Sequence, residues 1–167
     1  MYQSPLPMTL PDEVSALNKL VGASVNQTNY FAVSSANLAA SYGSSSNPAV
    51  VVITDTSFVL NQNLSGYGIL LVPNDFEINA QFQWTGIVLV QSPSGNAQFK
   101  VGSSGIGSIN GAVMLQPGGT STASLVSNTR STSANPIPFR ISYSCEAIDM
   151  AFSSLPYKIL GSSEVSF

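Results

Sequence analysis

Gly68-Ile69-Leu70-Leu71-Val72-Pro73-Asn74 runs into Asp75-Phe76-Glu77-Ile78-Asn79-Ala80-Gln81-Phe82-Gln83-Trp84, and then into Thr85-Gly86-Ile87-Val88-Leu89-Val90. The outer segments are short, unbroken apolar runs rich in branched residues, the pattern of a buried strand. Pro73 and Asn74 break the first run, as turn residues do. Between the runs the side chains alternate. Phe76, Ile78, Ala80, Phe82 and Trp84 share one face, and Asp75, Glu77, Asn79, Gln81 and Gln83 share the other. A period of two describes a strand with one dry and one wet face.

The same order recurs through Ala49–Leu115. Phe58, Leu60, Leu64, Gly68, Ile69 and Leu71 return 18 positions later as Phe76, Ile78, Phe82, Gly86, Ile87 and Leu89. Val51-Val52-Ile53 sits 18 positions before Ile69-Leu70-Leu71. A third copy, Gly111-Ala112-Val113-Met114-Leu115, follows Gly86 after 25 positions, with seven extra residues. A repeat of this length built from short β-runs predicts a mainly β fold, a short parallel β-helix or solenoid with coils of about 18–25 residues. Coils stack about 4.8 Å apart, so equivalent side chains form columns: Phe58 on Phe76, Leu60 on Ile78, Ile69 on Ile87. An antiparallel meander or sandwich is the alternative, and Asn110-Gly111 is a hairpin-type pair. Against it, residue identity is kept at whole-coil rather than half-coil spacing.

Outward from the repeats, the 167 residues read as a single domain, 1–167. Residues 1–9 are an extended, proline-rich lead-in. A helix is expected over 10–21: Thr9 caps, Pro11 sits in the first turn, and Asp12 and Glu13 suit the positive end. Leu10, Val14, Leu17 and Val21 mark one face, with Leu20 beside it, and Gly22 is a stop. Residues 22–48 read as a linker, with Tyr30–Val33 a strand or packed loop and Ser35–Ala40 a short helix. The repeated coils occupy 49–116. A Ser/Thr-rich loop over 117–135 is either a last irregular coil or a mobile connection. An edge-compatible strand is expected over 136–143, and a second helix over 144–156, capped by Ser144 and ended by Pro156. The first helix is expected as a cap or flank packed on the solenoid, and the second as an end-cap or a lid on a sheet, at the N- and C-terminal ends of the chain.

Composition narrows the function. Charged residues are 8% of the chain, against about 25% in ordinary domains. Roughly a third is Ser, Thr, Asn or Gln, so the surface is neutral and polar, a composition common in secreted and cell-surface β-solenoids. A net charge of −3 argues against a nucleic-acid partner, which calls for a basic stripe. There are no histidines, which removes the usual metal ligand, general base and pH switch. The single cysteine, Cys145, reads as a small buried apolar residue. No run of 18 apolar residues is present, so no membrane span is expected. Met1-Tyr2-Gln3-Ser4-Pro5 lacks a basic leader and an apolar core, so export would require a targeting segment or an N-terminal anchor ahead of this chain.

Catalytic patterns are sparse. Asp75 and Glu77 share a face at a spacing compatible with glycoside hydrolysis. Nothing cationic lies near them in sequence, and Ser57 and Val59 stand 18 positions earlier, so solvated surface charge is the simpler reading. No Asp-x-Asp-x-Asp spacing supports Ca²⁺. Lys19, Lys100 and Lys158 lack a Ser-x-x-Lys context, and Gly102-Ser103-Ser104-Gly105-Ile106-Gly107 lacks the lysine and helix of a phosphate loop. No cofactor is expected. Trp84 belongs with the apolar face, whereas Tyr67 beside Gly68 is the better sugar-stacking candidate. The candidate partner face is Tyr67, Asp75, Glu77, Asn79, Gln81 and Gln83.

The segments Asn47-Pro48-Ala49-Val50-Val51-Val52, Gly66-Tyr67-Gly68-Ile69-Leu70-Leu71-Val72, Phe82-Gln83-Trp84-Thr85-Gly86-Ile87-Val88-Leu89-Val90, Gly105-Ile106-Gly107-Ser108-Ile109-Asn110-Gly111-Ala112-Val113 and Tyr143-Ser144-Cys145-Glu146-Ala147-Ile148 together resemble the C-terminal region of bacterial type IV pilus assembly proteins of the PilX kind. The resemblance covers residues 47–155 and rests mostly on Gly and apolar positions. Pro73-Asn74 departs from it, where such proteins often carry a glycine turn. The resemblance implies a protein tethered by an N-terminal pilin-like helix. The expectation is therefore a non-enzymatic structural or assembly module of the bacterial cell envelope or exterior, with protein subunits of a surface appendage as partners. One alternative is a carbohydrate-binding or carbohydrate-degrading β-helix, with a glycan as partner. Another is a self-polymerising scaffold of the bactofilin sort, against which two end-capping helices would argue.

Overall fold

The structure is a computed structural model that describes residues 10–127 and 139–155. In chain order the elements are α1 (Leu10–Ala23), β1 (Tyr30–Val33), β2 (Ser41–Tyr42), β3 (Ala49–Ile53), β4 (Phe58–Leu60), β5 (Leu64–Pro73), β6 (Asp75–Ile78), β7 (Gln81–Gln91), β8 (Ala97–Val101), β9 (Ile106–Gln116), β10 (Ala123–Ser127), β11 (Arg140–Tyr143) and α2 (Cys145–Phe152). The strands form two sheets. One follows the order β1-β3-β5-β7-β9-β11, with β2 beside β5; the other follows β10-β8-β6-β4. From β3 to β11 the chain alternates between them. Every pairing among the described residues is parallel. The fold is mainly β, and the antiparallel alternative is overturned: Asn110-Gly111 lies inside β9, not at a hairpin.

Registers follow the repeat with one correction. Gly68 pairs with Gly86, and Phe58 with Phe76, each 18 positions on. Gly86 pairs with Gly111 after 25. Phe76 pairs with Phe99 after 23, so five of the seven extra residues precede β8 and two follow it. Val50, rather than Val51, lies opposite Ile69. Five residues separate Val52 from Phe58, but only four separate their partners Leu71 and Phe76, so the first turn shifts β3 by one place.

The alternating stretch 75–84 is two strands, not one. It breaks at Asn79-Ala80, where β6 of the smaller sheet passes to β7 of the larger. The inward side chains of both sheets meet in one core. Phe76 stands between Phe58 and Phe99, with ring centroids 5.4 and 5.5 Å away, and meets Phe82 of the other sheet at 5.4 Å. Trp84 is 1% exposed, and its Nε1 donates to the Gly68 carbonyl at 3.1 Å. Each large apolar side chain so buried stabilises by about 1.5–3 kcal/mol.

The unbroken apolar runs have a second explanation. Val88 and Val90 point into the core between the sheets, while Ile87 and Leu89 point outward into a second cluster with Ile69, Ala151 and Leu155. A parallel strand covered on both faces reads as a continuous apolar run. The cover is helical. Leu17 and Val21 of α1, and Ala151 of α2, are buried against that outer face. The helices thus lie flat on the larger sheet, the flank and lid of the alternatives above, and not as caps on its ends.

Other expectations change too. Of the two readings of Tyr30–Val33 the strand holds: it is β1, with a parallel partner in Val50–Ile53, and β2 also lies within the 22–48 linker. Ser35–Ala40 is a turn rather than a helix, closed by Asn37, whose backbone N–H donates to the Ser34 carbonyl and whose side chain accepts from the Ser34 N–H. The 117–135 loop contributes β10, paired with β8; its residues 128–135 lie outside the described residues, as do Thr9, residues 136–138 and Pro156. Ser144 caps α2, accepting from the Ala147 N–H at 3.2 Å. Cys145 is exposed, not buried. It lies one turn before the exposed Asp149, on the solvent side of α2, while Ala147 and Ala151 fill the inner side.

Candidate functional site

Along β5, β7 and β9 the glycines Gly68, Gly86 and Gly111 lie side by side, and they divide the outer face of the larger sheet. Past the glycines the face is apolar and roofed by helices. Before them it is polar and open. Strict register builds two columns there. Ser41, Ser65, Gln83, Ser108 and Arg140 form the first. Tyr67, Thr85, Asn110 and Ser142 form the second. Gln83, Tyr67, Asn110, Arg140 and Ser142 are exposed, with Tyr67 at 38%. Arg140 is the one charge in these columns. Adjacent strands lie about 4.8 Å apart, so the face presents hydroxyl and amide groups at regular intervals.

The six sequence-derived candidates do not form one face. Tyr67, Gln81 and Gln83 belong to the larger sheet, Asp75 and Glu77 to the smaller, and Asn79 to the corner between them. Gln81 and Gln83 share a shallow hollow of about 130 Å³ with Asn63 and Ser65. A second hollow of about 180 Å³ is lined by Ser35, Leu38 and the edge strand β4. Both are smaller than ordinary small-molecule pockets of about 300–1,000 Å³.

On the smaller sheet, the sequence reading missed a cation. Glu77 pairs in register with Lys100, whose Nζ donates to Glu77 Oε2 at 2.9 Å. That bond, aided by one from Asn79 and by the Lys100 charge and opposed by desolvation, holds the Glu77 carboxyl below the ordinary carboxylate range. The signal was present: Asp75-Phe76-Glu77-Ile78 and Gln98-Phe99-Lys100-Val101 share their apolar frame. The spacing of 23 differs from the 25 of the glycine column, which hid it. Asp55, the other acid near this region in sequence, accepts a hydrogen bond from the Ser35 N–H.

The chemistry follows. A glycosidase general acid needs a raised pKa, and Glu77 is shifted the other way. Among the described residues no group of three His, Cys, Asp or Glu side chains could hold a metal ion. No described helix is long and apolar enough to cross a membrane. The Cys145 thiol donates to the Tyr143 hydroxyl at 3.6 Å, and this contact raises the Tyr143 pKa. Compared with family models, curated proteins and solved structures, the chain matches none.

Proposed function

We propose that this chain is a non-enzymatic structural or assembly module of a bacterial cell-surface or pilus-associated protein, working through the open polar face of its larger sheet. The observation that carries the reading is the pair of in-register columns, Ser41 to Arg140 and Tyr67 to Ser142. A flat, regular, nearly uncharged row of donors and acceptors on a rigid sheet suits the packing of protein subunits by many weak hydrogen bonds. The lowered Glu77 pKa and the pilus-assembly resemblance support it. We propose also that the two sheets are faces of one short β-helix. The chain passes from sheet to sheet in turn, all described neighbours are parallel, and the inward side chains share one core. An experimental structure with a different strand order would overturn that winding.

The functional reading is tested with a photo-crosslinking residue at Gln83 or Asn110 in cells that make the protein. Adducts with subunits of a surface appendage support it; adducts confined to cytoplasmic proteins sink it. A glycan partner is the second reading, favoured by Tyr67 standing exposed in a polar column. Binding of neutral polysaccharides on a glycan array, lost in Tyr67→Ala, would replace the subunit reading with that one.

A further inference from the structure

The two ends of the larger sheet are stepped, and the steps are equal and opposite. The glycine column divides each long strand into a first and a second half. Beyond β5 toward the chain start, the first half carries one strand, β2, on Ser65 and Gly66. The second half carries two, β3 and then β1. Beyond β9 the first half carries one strand, β11, on Ser108–Gly111. The second half, Ala112–Gln116, has β7 on one side and, among the described residues, no strand on the other. One end therefore projects by a strand in the second half, and the other end by a strand in the first.

Among the described residues, Leu38 at one end and Phe139 at the other pack against the core, yet both ends leave apolar side chains exposed. Phe31 continues the inward column Val51, Leu70, Val88 and Val113, yet it is exposed. Ile141 continues Gly66, Trp84 and Ile109, and Leu125 continues Phe58, Phe76 and Phe99. Both are exposed, Leu125 at 59%. A stacked fold that stays monomeric covers its last turns with polar caps, and edge strands that avoid pairing carry charges or prolines. The terminal strands β1, β2, β4, β10 and β11 together carry one charge, Arg140, and no proline.

We infer that the chain binds a second copy of itself head to tail. The joint uses the free strand edges at the two ends of the polar columns rather than their outward side chains, so the inference goes beyond the function proposed above. In the joint, β1 of the second copy lies beside Ala112–Gln116 of the first, and β2 lies beside β11. All strands stay parallel, and both steps close together. Phe31 then continues the column onto Val113, and Tyr42 of the second copy follows Ile141 in the column of Gly66, Trp84 and Ile109. The two faces of the joint differ, so the contact is heterologous and repeats into open chains rather than closing as a dimer.

Two single-end variants of the full chain test this, Phe31→Lys at one end and Ile141→Lys at the other. Mass is read by sedimentation over a wide concentration range. The wild type grows past the dimer as concentration rises. Each variant alone is a monomer, and the two mixed form a one-to-one dimer that grows no further. A charge in the joint weakens association by about tenfold or more, the effect of losing a buried apolar anchor. Circular dichroism confirms folding, and the milder Phe31→Ser and Ile141→Thr replace any variant that fails it. A wild type that stays monomeric throughout overturns the inference. So does a single-end variant that still dimerises alone, because that requires a symmetric joint.

Discussion

Gly86→Ala is the substitution that most directly probes how closely the strands are stacked. Gly86 has φ +130°, a region that side-chain-bearing residues rarely enter, at a cost of about 1–3 kcal/mol. A Cβ added there would sit 2.1 Å from the Gly68 carbonyl oxygen and 3.1 Å from the Ala151 Cβ. The first contact is with backbone, so no rotamer relieves it; forced overpacking of this kind costs about 1–3 kcal/mol. The same carbonyl accepts the buried Trp84 Nε1 hydrogen bond. Displacing it weakens a bond worth about 0.5–1.5 kcal/mol. The combined expectation is a loss of about 2.5–7.5 kcal/mol, enough to unfold a marginal domain. Gly22→Ala is the internal control. No atom lies within 4 Å of its added Cβ, it is a helical position, and the change stabilises by about 0.5–1 kcal/mol. Trp84 is the only tryptophan, so urea titration followed by intrinsic fluorescence reads the core beside the substituted glycine. If Gly86→Ala unfolds at the wild-type midpoint, the close approach of β5 and β7 is wrong, and the column reading falls with it.

Other substitutions separate core, ion pair and cap. Phe76→Ala removes a ring in contact with Phe58, Phe82 and Phe99 and should cost about 3–5 kcal/mol, seen as a lower urea midpoint; a loss below about 1 kcal/mol would contradict full burial. The Glu77 pKa is lowered in the folded chain, so its contribution is present above the unfolded-state pKa and is lost as pH falls through the folded value. Glu77→Gln should flatten that part of the stability–pH profile while costing about 0–1 kcal/mol at neutral pH, as a partly exposed pair does. An unchanged acid limb would show that the Lys100 contact is not maintained in solution. Ser144→Ala removes the α2 cap and should destabilise by about 0.5–2 kcal/mol; thermal melts of the two proteins would coincide if the cap contributed nothing.

What the sequence made legible was whatever repeats at a constant interval. Phe58 over Phe76 and Gly68 beside Gly86 follow from 18-residue spacing, and both columns are present. Insertions broke the rest. The extra residues on either side of β8 give Phe99 and Gly111 different offsets, so one shift could not align both, and the Glu77–Lys100 pair stayed hidden. Five terminal-turn residues, Tyr30–Val33 and Ile141, belong to columns whose spacing is too irregular to detect. Cys145 was misplaced because residue type, rather than its position on the helix, guided the reading. The candidate face suffered from the same limit: alternation puts Asp75 and Gln83 on one side of a strand, but a corner at Asn79-Ala80 sends them to different sheets.

Whether the helices cap the ends or lie as lids on a sheet is decided by the apolar runs. Ile87-Val88-Leu89-Val90 and Ile69-Leu70-Leu71-Val72 are apolar at every position, so each run has a second face that needs cover. The chain offers two apolar helical stripes, Leu17 with Val21 and Ala147 with Ala151, and both are spent there. A helix lying across the face cannot also close the ends of the stack. The same residues that make the sheet two-sided therefore leave Phe31, Leu125 and Ile141 uncovered. Adding outward charge to the runs, as in Ile87→Lys, should release the helices, whereas Ile141→Lys should leave them in place. Hydrogen exchange of the α2 amides distinguishes the two. Equal protection of α2 in both variants would show that the apolar face does not hold the helices, and the bare ends would then need a different cause.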